Sequence, residues 1–141
     1  MAVPFLSCMA LVAQIYALPP RVLPAIQRVE GGQLGLARTN TNGTQDLGIM
    51  QINTIWLPHL ANYTRLTQSE VRDRLLNRAC FNIAAAGLIM RTYLDETAGD
   101  LLRAVGNYHS HTTHLNLNYQ ALVLRSATML FETAANTPRR P

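Results

Sequence analysis

The chain has no lysine and few charges of either sign. Its 12 basic side chains are all arginine, against eight carboxylates, and charged residues make up 14% of the 141 positions. That low density speaks against a nucleic-acid binder, which needs cations gathered on one face. The arginines are scattered, apart from Arg72, Arg74 and Arg78 and the terminal pair Arg139 and Arg140. These read as a solvated helix face and a tail. Two cysteines, Cys8 and Cys80, are too few for a structural zinc site. They leave open one disulfide or two buried apolar residues. There is no Gly-rich phosphate loop, no G-x-S-x-G turn and no HExxH helix. No cofactor or metal is implied.

Apolar residues make up 48% of the chain, enough for one packed core. The expected organisation is a single domain over 1–136 with a flexible tail at 137–141. From Val3 to Leu18 the only polar side chains are Ser7, Gln14 and the Tyr16 hydroxyl. The run is short for a membrane span and lacks the basic start of an export signal, since no basic residue precedes Arg21. Cys8, Leu11, Val12, Ile15 and Tyr16 recur at helical spacing, so a core helix is expected there. A second helix fits 20–30, with Val22, Leu23, Ile26 and Val29 as its apolar stripe and Gly31-Gly32 as its stop. A polar loop follows over 33–46, with Asn42-Gly43 as a turn signal.

Residues 47–53 form a short compact segment, and a helix over 54–62 is expected next. Thr67-Gln68-Ser69-Glu70 is a capping box, opening a short helix. A long buried helix fits 77–94 and another fits 100–108. The histidine-rich stretch 109–118 reads as loop. A last helix fits 119–135, with Leu122, Val123, Met129 and Leu130 facing inward. The predicted fold class is all-α, with room for one small β-hairpin in the 33–46 loop.

Six of the eight carboxylates fall in segments that read as solvent-facing. Glu30 differs, because it ends an apolar helix and opens a glycine pair. A carboxyl at such a cleft wall is poorly solvated, and burial keeps its proton on. That is what a general acid requires. Asp46 reads as a structural loop residue, with a second catalytic carboxylate as the weaker option. His109, His111 and His114 crowd one segment without an acidic residue among them, so exposed histidines are expected rather than a metal site.

Several segments, in order, resemble the soluble lytic transglycosylase family. LPAIQRVEGG at 23–32 resembles its catalytic-glutamate helix end. NGTQDLGIMQIN at 42–53 resembles its NxxGxxDxGxMQIN loop, the most specific match. ACFNI at 79–83 is similar to its C-x-N-I helix start, and AVGNY at 104–108 to the segment carrying AYNAG. Tyr119 stands where the family keeps a tyrosine. The likeness is strongest to small members that accompany secretion, conjugation and type IV pilus systems. Two departures stand out: Gly31 replaces the usual serine, and Tyr108-His109-Ser110-His111 replaces YNAG.

The resemblance implies a lysozyme-like fold, a Cys8–Cys80 disulfide and Glu30 as the catalytic acid. It implies peptidoglycan glycan strands as substrate, with components of a secretion or pilus apparatus as candidate partners, and work in the periplasm. Gln51, Asn53, Tyr108 and Tyr119 become candidate substrate-binding residues. Met50 either lines the same cleft or packs in the core. Tyr108 is expected to bond near Glu30 and hold it. A hydrolytic muramidase and a non-catalytic wall-binding scaffold are the competing readings.

Overall fold

The structure is a computed structural model and describes residues 3–135. The tail expected at 137–141 lies outside the described residues. Helices α1 (Leu6–Ile15) and α2 (Val22–Glu30) come first. A small antiparallel sheet follows, with strands β1 (Ala37–Thr39), β2 (Gln45–Leu47) and β3 (Ile52–Asn53) in that spatial order. A 3-10 turn at Thr54–Trp56 leads into α3 (Leu57–Thr64), α4 (Gln68–Asn77), α5 (Ala79–Glu96), α6 (Leu101–His109) and α7 (Thr113–Ala135). The fold is therefore mostly helical, and the hairpin falls where room was left for it. The third strand was not foreseen. At two residues it is too short for alternation to register, and it exists because Asn53 pairs with Asp46 and Ile52 with Leu47.

The long buried helix α5 is the hub. Ile83, Ala86 and Met90 have no exposed surface, and Gly87 lets α1 approach. A β-carbon at Gly87 would overlap the side chains of Val12 and Tyr16. The Cys8–Cys80 disulfide ties the same pair of helices, with Cα atoms 5.7 Å apart. Arg91 on α5 donates to the carbonyls of Tyr16 and Ala17, satisfying the end of α1. The α1 face that turns inward is Met9, Val12 and Ala13, whereas Leu11 and Ile15 are exposed. The expected stripe was thus rotated, because the close approach at Gly87 and the Cys8–Cys80 bridge turn Met9, Val12 and Ala13 toward the core and leave Leu11 and Ile15 outside.

Asn82, with no exposed surface, joins three segments. Its Nδ2 donates to the carbonyls of Leu47 and Leu75, both at 2.8 Å. Its Oδ1 accepts the Met50 N–H, also at 2.8 Å. The turn between β2 and β3 is thereby fastened to α4 and α5. Thr67 accepts the Glu70 N–H at 3.1 Å, the N-cap half of the capping box.

Helix α7 starts at Thr113, six residues before the expected 119. The stretch 113–118 is polar because Asn116 is buried in a polar network, not because it is a loop. Asn116 donates to the Arg103 and Ser110 carbonyls and to Asn107 Oδ1. The inward face of α7 is Asn116, Tyr119, Val123 and Ser126. Leu122 and Met129, expected inside, are 51% and 48% exposed. Half of the true face is polar, so hydrophobicity alone selects the wrong one. Ser126 Oγ donates to the Ala25 carbonyl at 2.9 Å and joins α7 to α2.

Two stability outcomes follow. Asn82→Ala leaves a buried N–H and two carbonyls without partners, and urea unfolding should show a loss of about 3 kcal/mol. Replacing Cys8 and Cys80 together by serine opens a loop of 72 residues' separation. The chain-entropy argument puts that loss at about 4 kcal/mol, read from the same unfolding curves.

Candidate active site

Glu30 is the last residue of α2, and the backbone fixes where it points. Gly31 ends the helix with φ 62°, a left-handed conformation that glycine adopts without penalty. Gly32 then runs against the turn before β3. A β-carbon there would collide with the backbone carbonyls of Gly48 and Ile49. Gly32 is therefore a steric necessity, whereas Gly31 is favoured by its left-handed conformation at the helix end. Arg38 on β1 donates to the Glu30 carbonyl at 2.9 Å and to that of Gly31 at 3.5 Å. Its cation sits on helix-end carbonyls, which carry partial negative charge.

The Glu30 side chain enters a cleft of about 320 Å³. Asp46, Gln51 and Asn53 line it from the sheet side. An aromatic wall faces it in which Trp56 meets His59 and Tyr93 edge-on, at 5.6 and 5.8 Å between centroids, and Tyr93 meets His111 at 5.3 Å. Edge-to-face contacts of this kind are favourable and fix ring orientation. Across α7, the Tyr119 hydroxyl donates to Glu30 Oε1 at 2.7 Å. His109 stacks on the Tyr119 ring at 5.0 Å and 12°.

The family model named Transglycosylase SLT domain matches residues 7–121. The chain belongs to this family. No curated protein matches it. For an SLT domain the implied activity is that of a lytic transglycosylase on peptidoglycan.

Within this SLT domain, Glu30 titrates above the ordinary carboxylate range. Burial is the largest cause. The Tyr119 bond opposes it, the negative charge of Asp46 adds to it, and Arg38 opposes it. Tyr119 is itself held far above the usual phenol range by burial and by Glu30. It is therefore a donor at any working pH. Tyr108 is raised in the same direction by burial, then by Glu30 and Asp46.

The expected roles of the two tyrosines need correction. The Tyr108 hydroxyl donates to the Met50 carbonyl at 2.8 Å, not to Glu30. Tyr119 makes the bond to Glu30, because α7 rather than α6 crosses the end of α2. Tyr108 still lines the cleft. Met50 has no exposed surface and packs in the core, so its side chain is not on the cleft wall. Gln51 lines the cleft with its amide turned back to the Gly48 carbonyl at 3.0 Å. Its φ of 54° is left-handed, an uncommon state for a residue with a β-carbon. Asn53 also lines the cleft, donating to Thr44 Oγ1 and Asp46 Oδ1, both at 3.0 Å. Asp46 thus takes its bond from a side-chain amide rather than from loop N–H groups.

Trp56 and Tyr93 are cleft residues that the sequence did not single out, and His109 and His111, read from it as exposed loop residues, line the cleft as well. The histidines are exposed as expected, but His109 ends α6 and His114 lies in the first turn of α7. Their signal was the departure from YNAG at 108–111, which placed two imidazoles beside an aromatic position.

Linkage gives the sign of one outcome. Between the unfolded and folded values of Glu30, the native chain keeps a proton that the unfolded chain has released. Stability therefore falls as pH rises through that window. Glu30→Gln cannot ionise, so it should melt above the wild type near neutral pH and level with it below about pH 4. In an NMR titration of the Glu30 carboxyl carbon, Tyr119→Phe should move the midpoint up and Asp46→Asn should move it down.

Proposed function

We propose that Glu30 is the acid and then the base of a lytic transglycosylase that cleaves the β-1,4 bond between N-acetylmuramic acid and N-acetylglucosamine. One observation carries the reading: the cleft of an SLT domain holds a half-buried carboxyl whose hold on its proton is raised by burial and which accepts a hydrogen bond from a phenol at 2.7 Å.

The protonated carboxyl donates to the glycosidic oxygen as the bond from C1 to that oxygen breaks, and N-acetylglucosamine leaves as an alcohol. The N-acetyl carbonyl of the muramyl sugar stabilises the cationic C1, a substrate-assisted route that needs no carboxylate nucleophile. The Glu30 carboxylate then takes the proton of the C6 hydroxyl. The C6 oxygen bonds to C1, which closes the 1,6-anhydro ring and returns the proton to Glu30. Tyr119 stabilises the carboxylate between the two transfers. Gln51 and Asn53 face the sugars, with Tyr108 holding the Met50 carbonyl at the cleft edge. The enzyme works in the periplasm, where the Cys8–Cys80 disulfide is stable. The sequence likeness to small specialised transglycosylases supports local wall opening for a secretion, conjugation or pilus apparatus.

Mass spectrometry of products from purified peptidoglycan tests this. Anhydro-muramyl ends are expected, and Glu30→Gln should lower their rate by about 10³-fold. Reducing ends in their place would make the protein a hydrolytic muramidase. Binding without cleavage, unchanged in Glu30→Gln, would make it a scaffold. In the rate profile, activity should fall as pH rises through the Glu30 value, and Tyr119→Phe should shift that fall to higher pH.

A further inference from the structure

His109 ends α6, at the position where YNAG has asparagine, and it is exposed. Its imidazole lies over the Tyr119 ring, with planes 12° from parallel and centroids 5.0 Å apart. That is an offset stack. Tyr119 itself is 4% exposed. The histidine therefore stands between the phenol ring and the open cleft, whose wall it helps to form. An imidazole suits this place, because it turns a flat face inward and leaves its ring nitrogens wet.

The backbone beneath both rings is pinned. The Asn116 amide donates to Asn107 Oδ1 at 2.8 Å and to the Ser110 carbonyl at 3.1 Å. Gly106 packs so tightly on Asn116 that a β-carbon would overlap its side-chain amide. Helices α6 and α7 thus meet in a fixed register, and the two rings follow these anchors at 109 and 119.

What such a stack decides is the plane of the phenol. The torsion that turns a tyrosine ring is broad, so packing rather than rotamer preference sets it. The hydroxyl proton lies close to the ring plane, because its oxygen is conjugated with the ring. Turning the ring leaves that oxygen in place and swings the proton away from Glu30 Oε1, 2.7 Å from it. We infer that His109 is a positioning residue for the reaction: stacked on Tyr119, it holds the phenol plane that aims the hydroxyl at Glu30. Its effect on rate rests on the transglycosylase reading, while its effect on the carboxyl rests on geometry alone. The other titratable and charged groups around the acid are Asp46 on β2, Arg38 on β1, Tyr108 on α6, Tyr93 on α5 and His111 just before α7. Substitutions at 109 leave all of them in the chain.

Two measurements on the full chain test it. The first is an NMR titration of the Glu30 carboxyl carbon. His109→Ala and His109→Asn remove the flat face and should move the midpoint up, about half as far as Tyr119→Phe does. His109→Phe keeps the face and should restore the wild-type midpoint. In a Tyr119→Phe background, His109→Ala should move it no further. The second is kinetics on purified peptidoglycan. His109→Ala and His109→Asn should lower kcat about fivefold with KM within about twofold of wild type, and His109→Phe should recover the rate. An unchanged midpoint in His109→Ala overturns the inference. A downward shift also overturns it, since the histidine would then be a water shield for the carboxyl. So does a His109→Phe midpoint that follows His109→Ala, which assigns the effect to imidazole charge, or a shift that survives in the Tyr119→Phe background. A rise in KM with kcat unchanged would make His109 a sugar contact in place of a positioning residue. The expected titration pattern in a chain that forms no anhydro ends would keep the His109 contact and remove the transglycosylase reading instead.

Discussion

The site depends on one buried amide. Asn82 bonds to Leu47, Met50 and Leu75, and so holds the turn between β2 and β3 against the helical body. That turn contains Gly48, whose own α-carbon leaves no room for a side chain beside Leu75 and Asn82. From it come the Met50 carbonyl that receives Tyr108, the Gln51 side chain on the cleft wall, and the carbonyls against which Gly32 packs. Asn82 touches nothing that reacts, yet it fixes the distance between the end of α2 and the sheet. Every polar group it could leave unpaired is buried, so the arrangement tolerates no partial version.

Glu30 sits between opposed influences. Burial and Asp46 favour the neutral carboxyl, while Tyr119 and Arg38 favour the charged one. A general acid that must later serve as a base needs both forms within reach. Deep burial without the phenol would fix the proton in place. A solvated carboxyl would release it before any substrate arrived. The tyrosine can act as a permanent donor because its own ionisation is suppressed by the same burial and the same carboxylate.

Much of this was legible in the chain itself. The helix start at Thr67, the glycine pair after Glu30 and the proximity of Cys8 to Cys80 all hold in the structure, since each is either a local rule or part of an ordered set of motifs. Other features depend on how helices cross. Tyr108 and Tyr119 are both phenols on helices beside the cleft, and no local pattern says which one reaches Glu30. Met50 sits in the most specific motif but contributes its backbone carbonyl, a group that side-chain reading overlooks. The inner face of α7 was misplaced because Asn116 and Ser126 are buried through hydrogen bonds, while Leu122 and Met129 are about half exposed. A polar stripe of this kind is invisible to any measure that equates inside with apolar.

The disulfide between α1 and α5 has a consequence for how the chain matures. With two cysteines in the sequence, a single intramolecular pairing exists. Within this domain no scrambled isomer competes, so its native linkage needs an oxidant but no isomerase. A wrong product available to it is a crosslink between two molecules. Dilution suppresses that product, which ties the yield of correctly fastened protein to how crowded it is while its thiols are still free.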